Sequence, residues 1–389
     1  MEKEGGMFEL EEVRGGQANI KVVGVGGAGG NVVNNMIASN IKGVEFIAIN
    51  TDTQVLETSL ATERVQIGGA LTRGLGTGAK PEIGRQAAVD DREQLAEVLA
   101  GADMIFITAG MGGGTGTGAA PVLAEVAREQ GALTVAVVTK PFFYEGGRRR
   151  LNAEQGIEEL EKNVDTLIVI PNDRISLAVA KGTSLIESFS IANDILRHAV
   201  QGISDLILVP GLINLDFADV KTIMSNAGRA VIGMGVGQGE EGAREAAKRA
   251  ILNPLLENTS IDGSNGILIN ITGGLELALK DVEEATSPIF DSADENANII
   301  VGAVIDPEIK DDVRVTVIAT GFKEKAEKVQ LPQVKKWTAP REHTPRTADR
   351  ILSKTLDVSE SDDSSLEIPT FLRKPVIHVY KETTRAGQQ

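Results

Sequence analysis

Cysteine is absent from this chain of 389 residues, which removes disulfides, thiolate catalysis and cysteine-ligated zinc or iron–sulfur centres together. Histidine is nearly absent: His198, His343 and His378 stand far apart in sequence and suggest no metal cluster. Aromatic residues are few, with 10 Phe, 2 Tyr and 1 Trp. No apolar run approaches the ~18 residues of a membrane span. The acidic opening MEKEGGMFELEEVRGG lacks the apolar stretch of a signal peptide. Positive charge is in deficit, 39 Lys+Arg against 55 Asp+Glu for a net charge of −16. Generic binding to nucleic-acid phosphates or anionic lipid is therefore disfavoured. These absences predict a soluble, cytoplasmic protein; the length of 389 residues, at roughly 150 per domain, predicts two domains with room for a tail and for a sizeable core.

Glycine, by contrast, is plentiful: 43 of 389 residues, about 11% against a usual ~7%. The glycines crowd just after apolar, strand-like runs. Strands are expected at Ile20–Val25, Val44–Asn50, Met104–Thr108, Leu133–Val138 and Thr166–Ile170, alternating with helices, one of them from Pro81 to Ala100 burying Ile83, Ala87, Leu95, Val98 and Leu99. That alternation predicts an α/β fold with a mostly parallel sheet covered on both faces. A longer helix is expected at Ser184–Gly202, with Leu185, Phe189, Ala192, Leu196 and Ala199 on one stripe. It leads to a smaller α/β unit: strand Arg229–Val236, helix Glu241–Leu252, strand Gly266–Thr272, helix Leu275–Ala285, and strands Ile299–Ile305 and Arg314–Ala319. From Glu324 the prolines and the run SESDDSS read as a linker that cannot bury enough surface to order. Leu366–Tyr380 regains apolar and basic character, either as a docking peptide or as a frayed terminus.

Two turns carry the chemistry. GVGGAGGN at Gly24–Asn31 follows a strand and opens a helix, where bare backbone N–H groups attract an anion. Gly24, Gly26 and Gly29 fit G-x-G-x-x-G, and Asp52 ends the next strand where a ribose-binding acid would stand, so this turn alone predicts a dinucleotide-dependent oxidoreductase. The second turn, GGGTGTG at Gly112–Gly118, has the same strand–turn–helix setting. Two phosphate-sized cradles at the ends of neighbouring strands suit a triphosphate gripped from two sides, with Thr115 and Thr117 adding hydroxyls. No G-x-x-x-x-G-K-S/T motif supplies a phosphate-reaching lysine.

Further contacts carry two readings each. Glu145 and Arg149 suit ribose and phosphate, or simply a helix start with dipole-favoured Glu. Asn172 suits a purine edge, or a turn after Pro171. Phe189 and Asn193, at i and i+4 on one helix face, suit a stacked base and its edge, or core. Asp216 and Asp219 suit a polarised water or a cation, or else Asn214 or Asp216 is an N-cap and Asp219 an acid favoured by the helix dipole.

Taken together, GVGGAGGN, GGGTGTG, NTD at Asn50–Asp52, PF…E at Pro141–Glu145, IPND at Ile170–Asp173 and NLDFADV at Asn214–Val220 resemble FtsZ, the tubulin-related GTPase family of bacterial cell division. LEIPTFLRK at Leu366–Lys374 resembles that family's docking peptide. The resemblance runs from Asn19 to Phe322 and resumes at Leu366. It implies an N-terminal extension (1–18), a Rossmann-like GTP-binding domain (19–183), a central helix (184–202) and a C-terminal GTPase-activating and polymerisation domain (203–323). A disordered linker (324–365) and a docking peptide with a basic tail (366–389) would follow. It also implies phosphate contacts at Gly27, Ala28, Gly29, Gly30, Asn31, Gly114, Thr115 and Gly116, ribose and nucleotide contacts at Glu145 and Arg149, and a guanine site at Asn172, Phe189 and Asn193, and leaves open whether neighbouring Asp194 shares the last contact. Asp216 and Asp219, with Asn214, would complete the site of a neighbouring subunit in a head-to-tail filament, with GTP or GDP and Mg²⁺ as cofactors. Gly69–Lys80 would be a loop near the γ-phosphate. The implied setting is the division ring beneath the inner membrane, reached through adaptor proteins and without direct membrane insertion.

Overall fold

The run Ile20–Val25 forms β1, and all of its residues are buried, as a strand covered on both faces requires. In this computed structural model it is followed by α1 (Gly26–Ala38), β2 (Val44–Asn50), α2 (Thr53–Glu57), β3 (Glu63–Gln66), α3 (Gly69–Thr72), α4 (Pro81–Asp90), α5 (Arg92–Leu99), β4 (Met104–Gly110), α6 (Thr115–Glu129) and β5 (Leu133–Lys140). A 3₁₀ turn at Phe143–Glu145 leads into α7 (Gly147–Glu161), β6 (Thr166–Pro171), α8 (Asn172–Ala178) and the long α9 (Leu185–Leu208). The remaining elements are α10 (Phe217–Met224), β7 (Gly228–Gln238), α11 (Gly242–Ile251), β8 (Gly266–Gly273), α12 (Leu279–Ser292), β9 (Asn298–Ile305) and β10 (Asp312–Thr320). The structure describes residues 18–178, 182–209, 211–213, 215–239, 241–253, 263–307 and 309–322. The expected N-terminal extension up to residue 17, the linker, the docking peptide, His343, His378 and Asn214 lie outside the described residues.

The strands form one sheet in the order β3-β2-β1-β4-β5-β6-β7-β10-β8-β9. β1 pairs in parallel with both β2 and β4, so the chain direction across the sheet reverses between β1 and β4, the place where open α/β sheets bind ligands. β7 joins the two halves: its start pairs in parallel with Thr166–Ile168, and its length runs antiparallel to β10. Two apolar layers sandwich the first half. Met36, Phe106, Leu196 and Ile203 belong to one, and Leu95, Leu99, Ile107 and Leu123 to the other. Each large side chain so buried contributes ~1.5–3 kcal/mol. A third layer, including Ala246, Ile269 and Ile289, covers the second half.

The structure differs from several expectations. The helix expected from Pro81 to Ala100 is two, because Asp91 turns aside and its carboxylate accepts the Gly68 N–H at 2.5 Å. Ile83 and Val98 are consequently only half-buried. The spine helix continues past Gly202 to Leu208. There the glycine serves close packing: a Cβ would lie 3.2 Å from Thr316, and its carbonyl accepts the Asn270 amide at 3.0 Å. α12 begins at Leu279 rather than Leu275, where the Asp281 carboxylate accepts the Ala278 N–H at 2.8 Å, and it continues past Ala285 to Ser292.

Candidate functional site

Val25 and Ala109 stand opposite each other near the carboxyl ends of β1 and β4, so the two glycine-rich turns leave the sheet side by side. Gly26 follows at φ +73°, a left-handed conformation that favours glycine. α1 and α6 start from these turns, and their N-caps, Val25 and Gly114, make no side-chain hydrogen bond. The first N–H groups of both helices are therefore open to an anion at the positive end of the helix dipole.

A cavity of about 310 Å³ lies at these turns. Its lining includes Gly26, Gly27 and Ala28 from α1, Gly113–Gly116 leading into α6, Glu145 and Arg149 beside the start of α7, Asn172 opening α8, and Phe189 and Asn193 on α9. Glu145 accepts the Phe142 N–H at 2.9 Å through one oxygen and Arg149 Nη1 at 2.6 Å through the other. The Asp173 carboxylate accepts the Phe143 N–H at 2.7 Å and so ties this turn to α8. The Phe189 ring is 41% exposed and meets Phe142 edge to face at 5.4 Å. It therefore belongs to the cavity wall and not to the core stripe of its helix. Asn172 is buried, and its Oδ1 has no hydrogen-bond partner among the described residues. An acceptor left so costs about 1–3 kcal/mol, a cost that an N–H of a bound ligand would offset.

The other sequence-predicted residues stand elsewhere. Gly29 is a packing position: a Cβ there would run into the Thr108 carbonyl. Gly30 and Asn31 line a separate void of about 20 Å³ beside β2. An α-helix turns 100° per residue, so Gly27–Asn31 cannot all face one cavity. Thr117 is spent locally, its hydroxyl oxygen accepting the Gly112 N–H at 2.8 Å. Asp52 lies off the cavity and caps α2, accepting the Gln54 N–H at 3.0 Å and the Val55 N–H at 3.4 Å, so the oxidoreductase reading loses its ribose acid. Asp194 is also off the lining: it accepts from Asn35 Nδ2 at 3.3 Å and pairs with Arg197 at 3.5 Å. Asp216 caps α10, with Oδ1 accepting the Asp219 N–H at 2.8 Å; both are exposed and neither lines the cavity. Among the described residues, no group of three or more His, Asp and Glu is arranged to hold a metal.

Thr77 and Thr139 also line the cavity, and neither belongs to the two glycine-rich motifs. Thr77 sits between glycines in the Gly69–Lys80 stretch, and Thr139 lies near the carboxyl end of the strand beside β4; both positions were available signals.

Comparison with known proteins agrees with this geometry. Residues 19–179 match the GTPase domain of the Tubulin/FtsZ family, and residues 228–323 match the C-terminal domain of the FtsZ family. An empty FtsZ dimer from M. jannaschii is 45% identical, with a TM-score of 0.76 over 80% of this chain and 90% of that one. The GTPγS-bound protofilament of CetZ2 from Haloferax volcanii, at 22% identity and a TM-score of 0.66, covers 79% of this chain and 94% of that one and shares the fold. The strand order, the paired glycine turns and this likeness lead to one conclusion: the chain belongs to the FtsZ family of tubulin-related GTPases.

Proposed function

We propose that the protein polymerises head to tail into filaments of the cell-division ring, and that each GTP is hydrolysed with carboxylates from the next subunit. One observation carries this reading. Among the described lining residues the one carboxylate is Glu145, and Arg149 holds it, while Asp216 and Asp219 stand exposed at the start of α10, off the cavity. A site with phosphate cradles but no uncommitted acid suits completion by a second copy. A heterologous contact of this kind repeats without closing and makes a filament. The exposed Leu75 and Tyr144 near the cavity elements, and Leu212 and Ile213 near α10, offer apolar surface for such a contact.

Within the cavity, the N-termini of α1 and α6 with Gly27, Ala28, Gly114, Thr115 and Gly116 would take the phosphates. Glu145 and Arg149 would take the ribose and a phosphate, and Asn172, Phe189 and Asn193 the guanine. Mg²⁺ would arrive with the nucleotide, held by phosphate oxygens and, through water, by threonine hydroxyls, a hard-oxygen set that suits it. It would offset phosphate charge in the transition state. No described helix is long and apolar enough to cross a membrane, and recruitment of membrane adaptors is assigned to Leu366–Lys374. The division into a GTP-binding domain, a central helix and a C-terminal domain belongs to the same proposal, with the limits 19–183, 184–202 and 203–323 amended only in that the central helix runs on to Leu208.

Phosphate release from GTP with Mg²⁺, measured over a series of protein concentrations while light scattering is followed, tests the reading. Activity per chain should rise steeply above a threshold, together with scattering. Flat specific activity without scattering would mean that one chain completes its own site.

A further inference from the structure

Thr51 is fully buried just beyond the end of β2. Its N–H donates to Asn50 Oδ1 at 2.8 Å, and its carbonyl accepts the Gly76 N–H at 3.3 Å and the Thr72 hydroxyl at 3.2 Å. Its own hydroxyl has one partner among the described residues, the Thr115 hydroxyl, 2.7 Å away. A buried hydroxyl places its proton on an acceptor. Either hydroxyl could donate in this pair; with Thr115 the one acceptor at hand, the arrangement that satisfies the Thr51 proton has Thr51 as donor and turns the Thr115 proton elsewhere. The Thr77 hydroxyl is 3.5 Å from it, too long for a strong O–H···O bond. The remaining direction is the cavity, which Thr115 lines and Thr51 does not.

We propose that Thr51 is a positioning residue for the nucleotide: by donating to the Thr115 oxygen, it aims the Thr115 proton at a phosphate oxygen of bound GTP. The proposal rests on the reading of this cavity as the nucleotide site. Two physical effects make the arrangement useful. The proton is oriented before the ligand arrives, so less freedom is lost on binding. A hydroxyl whose oxygen already accepts a bond is a stronger donor, and its bond to an anionic oxygen is charge-assisted. Without Thr51, nothing holds the Thr115 hydroxyl in one rotation, and it could present a lone pair to the phosphate instead of its proton.

The test measures GTP affinity on the full chain for wild type, Thr51→Val, Thr51→Ser, Thr115→Val and the double variant Thr51→Val/Thr115→Val. Valine keeps the shape of threonine and removes the hydroxyl; serine keeps the hydroxyl. Thr51→Val should weaken GTP about tenfold, the scale of one charge-assisted bond. Thr51→Ser should stay within about twofold of wild type, and the double variant should bind no more weakly than Thr115→Val alone. Should the valine variant not fold, Thr51→Ala carries the same expectation. Thr51→Val binding like wild type while Thr115→Val loses affinity would overturn the proposal. So would losses that multiply in the double variant, because Thr51 would then act through packing. Unchanged affinity in Thr115→Val would instead remove Thr115 from the site itself, a different failure.

Discussion

A Cβ on Gly26 would lie 2.9 Å from the backbone nitrogen of Gly116. The two glycine-rich turns, 90 residues apart in sequence, therefore touch backbone to backbone. They meet because parallel neighbouring strands, roughly 4.8 Å apart, deliver both turns at the same level. Two anion-attracting helix starts become one cradle.

That contact separates two neighbouring glycines. At Gly26 an alanine would meet immovable backbone in a left-handed conformation, so Gly26→Ala should cost about 2–4 kcal/mol in strain and overpacking. At Gly27 a Cβ meets nothing within 4 Å, so Gly27→Ala should leave unfolding within about 1 kcal/mol of wild type or raise it slightly. Because Gly27 lines the cavity, the same variant should still lose GTP affinity. Urea unfolding and nucleotide retention on both variants check the pair; equal loss of stability in the two would contradict it.

Asp216 holds two assignments that one substitution can part. As the cap of α10 it accepts the Asp219 N–H, and Asp216→Ala should cost about 1 kcal/mol. Asp216→Ser keeps a capping oxygen and should unfold within about 0.5 kcal/mol of wild type. If the carboxylate activates water, turnover should fall at least tenfold in both. Mixed with chains disabled at Gly114, the serine variant should regain part of that turnover, since its intact cavity would meet a complete neighbour. Wild-type turnover in Asp216→Ser alone would end the assignment.

Asn193 and Asp194 are adjacent in sequence and differ in placement. Asn193→Ala, on the cavity wall, should relax the preference for GTP over ATP by about tenfold, the scale of one or two hydrogen bonds. Asp194→Asn should leave that preference unchanged and lower stability by up to about 1 kcal/mol, because it weakens a partly exposed tie between α9, Asn35 and Arg197. Competition binding with the two nucleotides, alongside thermal unfolding, separates them. A shifted preference in Asp194→Asn would reverse the assignment.

His198 and Asp205 line a second cavity, of about 260 Å³, between α9 and the second half of the sheet. Burial, with Arg197 and Arg314 nearby, lowers the His198 pKa from 6.5 to about 4. The Arg197 guanidinium donates to its ring at 2.8 Å, which requires an unprotonated nitrogen. Burial, with Asp306 adding to it, raises the Asp205 pKa from 3.8 to about 6. The folded state thus binds fewer protons at His198, whose contribution to stability is present above pH 6.5 and is lost as pH falls toward 4. It binds more protons at Asp205, whose contribution is present below pH 3.8 and is lost as pH rises through 6. Between pH 4 and 6 the two slopes oppose each other. Asp205→Asn should gain on the order of 1–3 kcal/mol at pH 7, fading toward acid. His198→Gln should lose less stability on acidification than wild type. Urea midpoints measured across this range report both slopes.

The sequence by itself determined what depends on neighbours along the chain. Apolar β-branched runs ending in glycine locate β1, β4 and the open helix starts behind them. The spacing of Asp216 and Asp219 puts both at the start of α10, and the structure then picks Asp216 over Asn214 as its cap. Tertiary structure decided what depends on which face a residue turns and what stands across from it. Gly27 faces the cavity while Gly29 packs on Thr108; Asn193 lines the cavity while Asp194 reaches Asn35; Asp91 breaks a helix to hold Gly68; Thr51 meets Thr115 across 64 residues of chain. Turns and caps are local free-energy minima that short stretches of sequence encode. A helix face or a partner 64 residues away is chosen only when the packing of the sheet and its covering layers fixes one arrangement for them all.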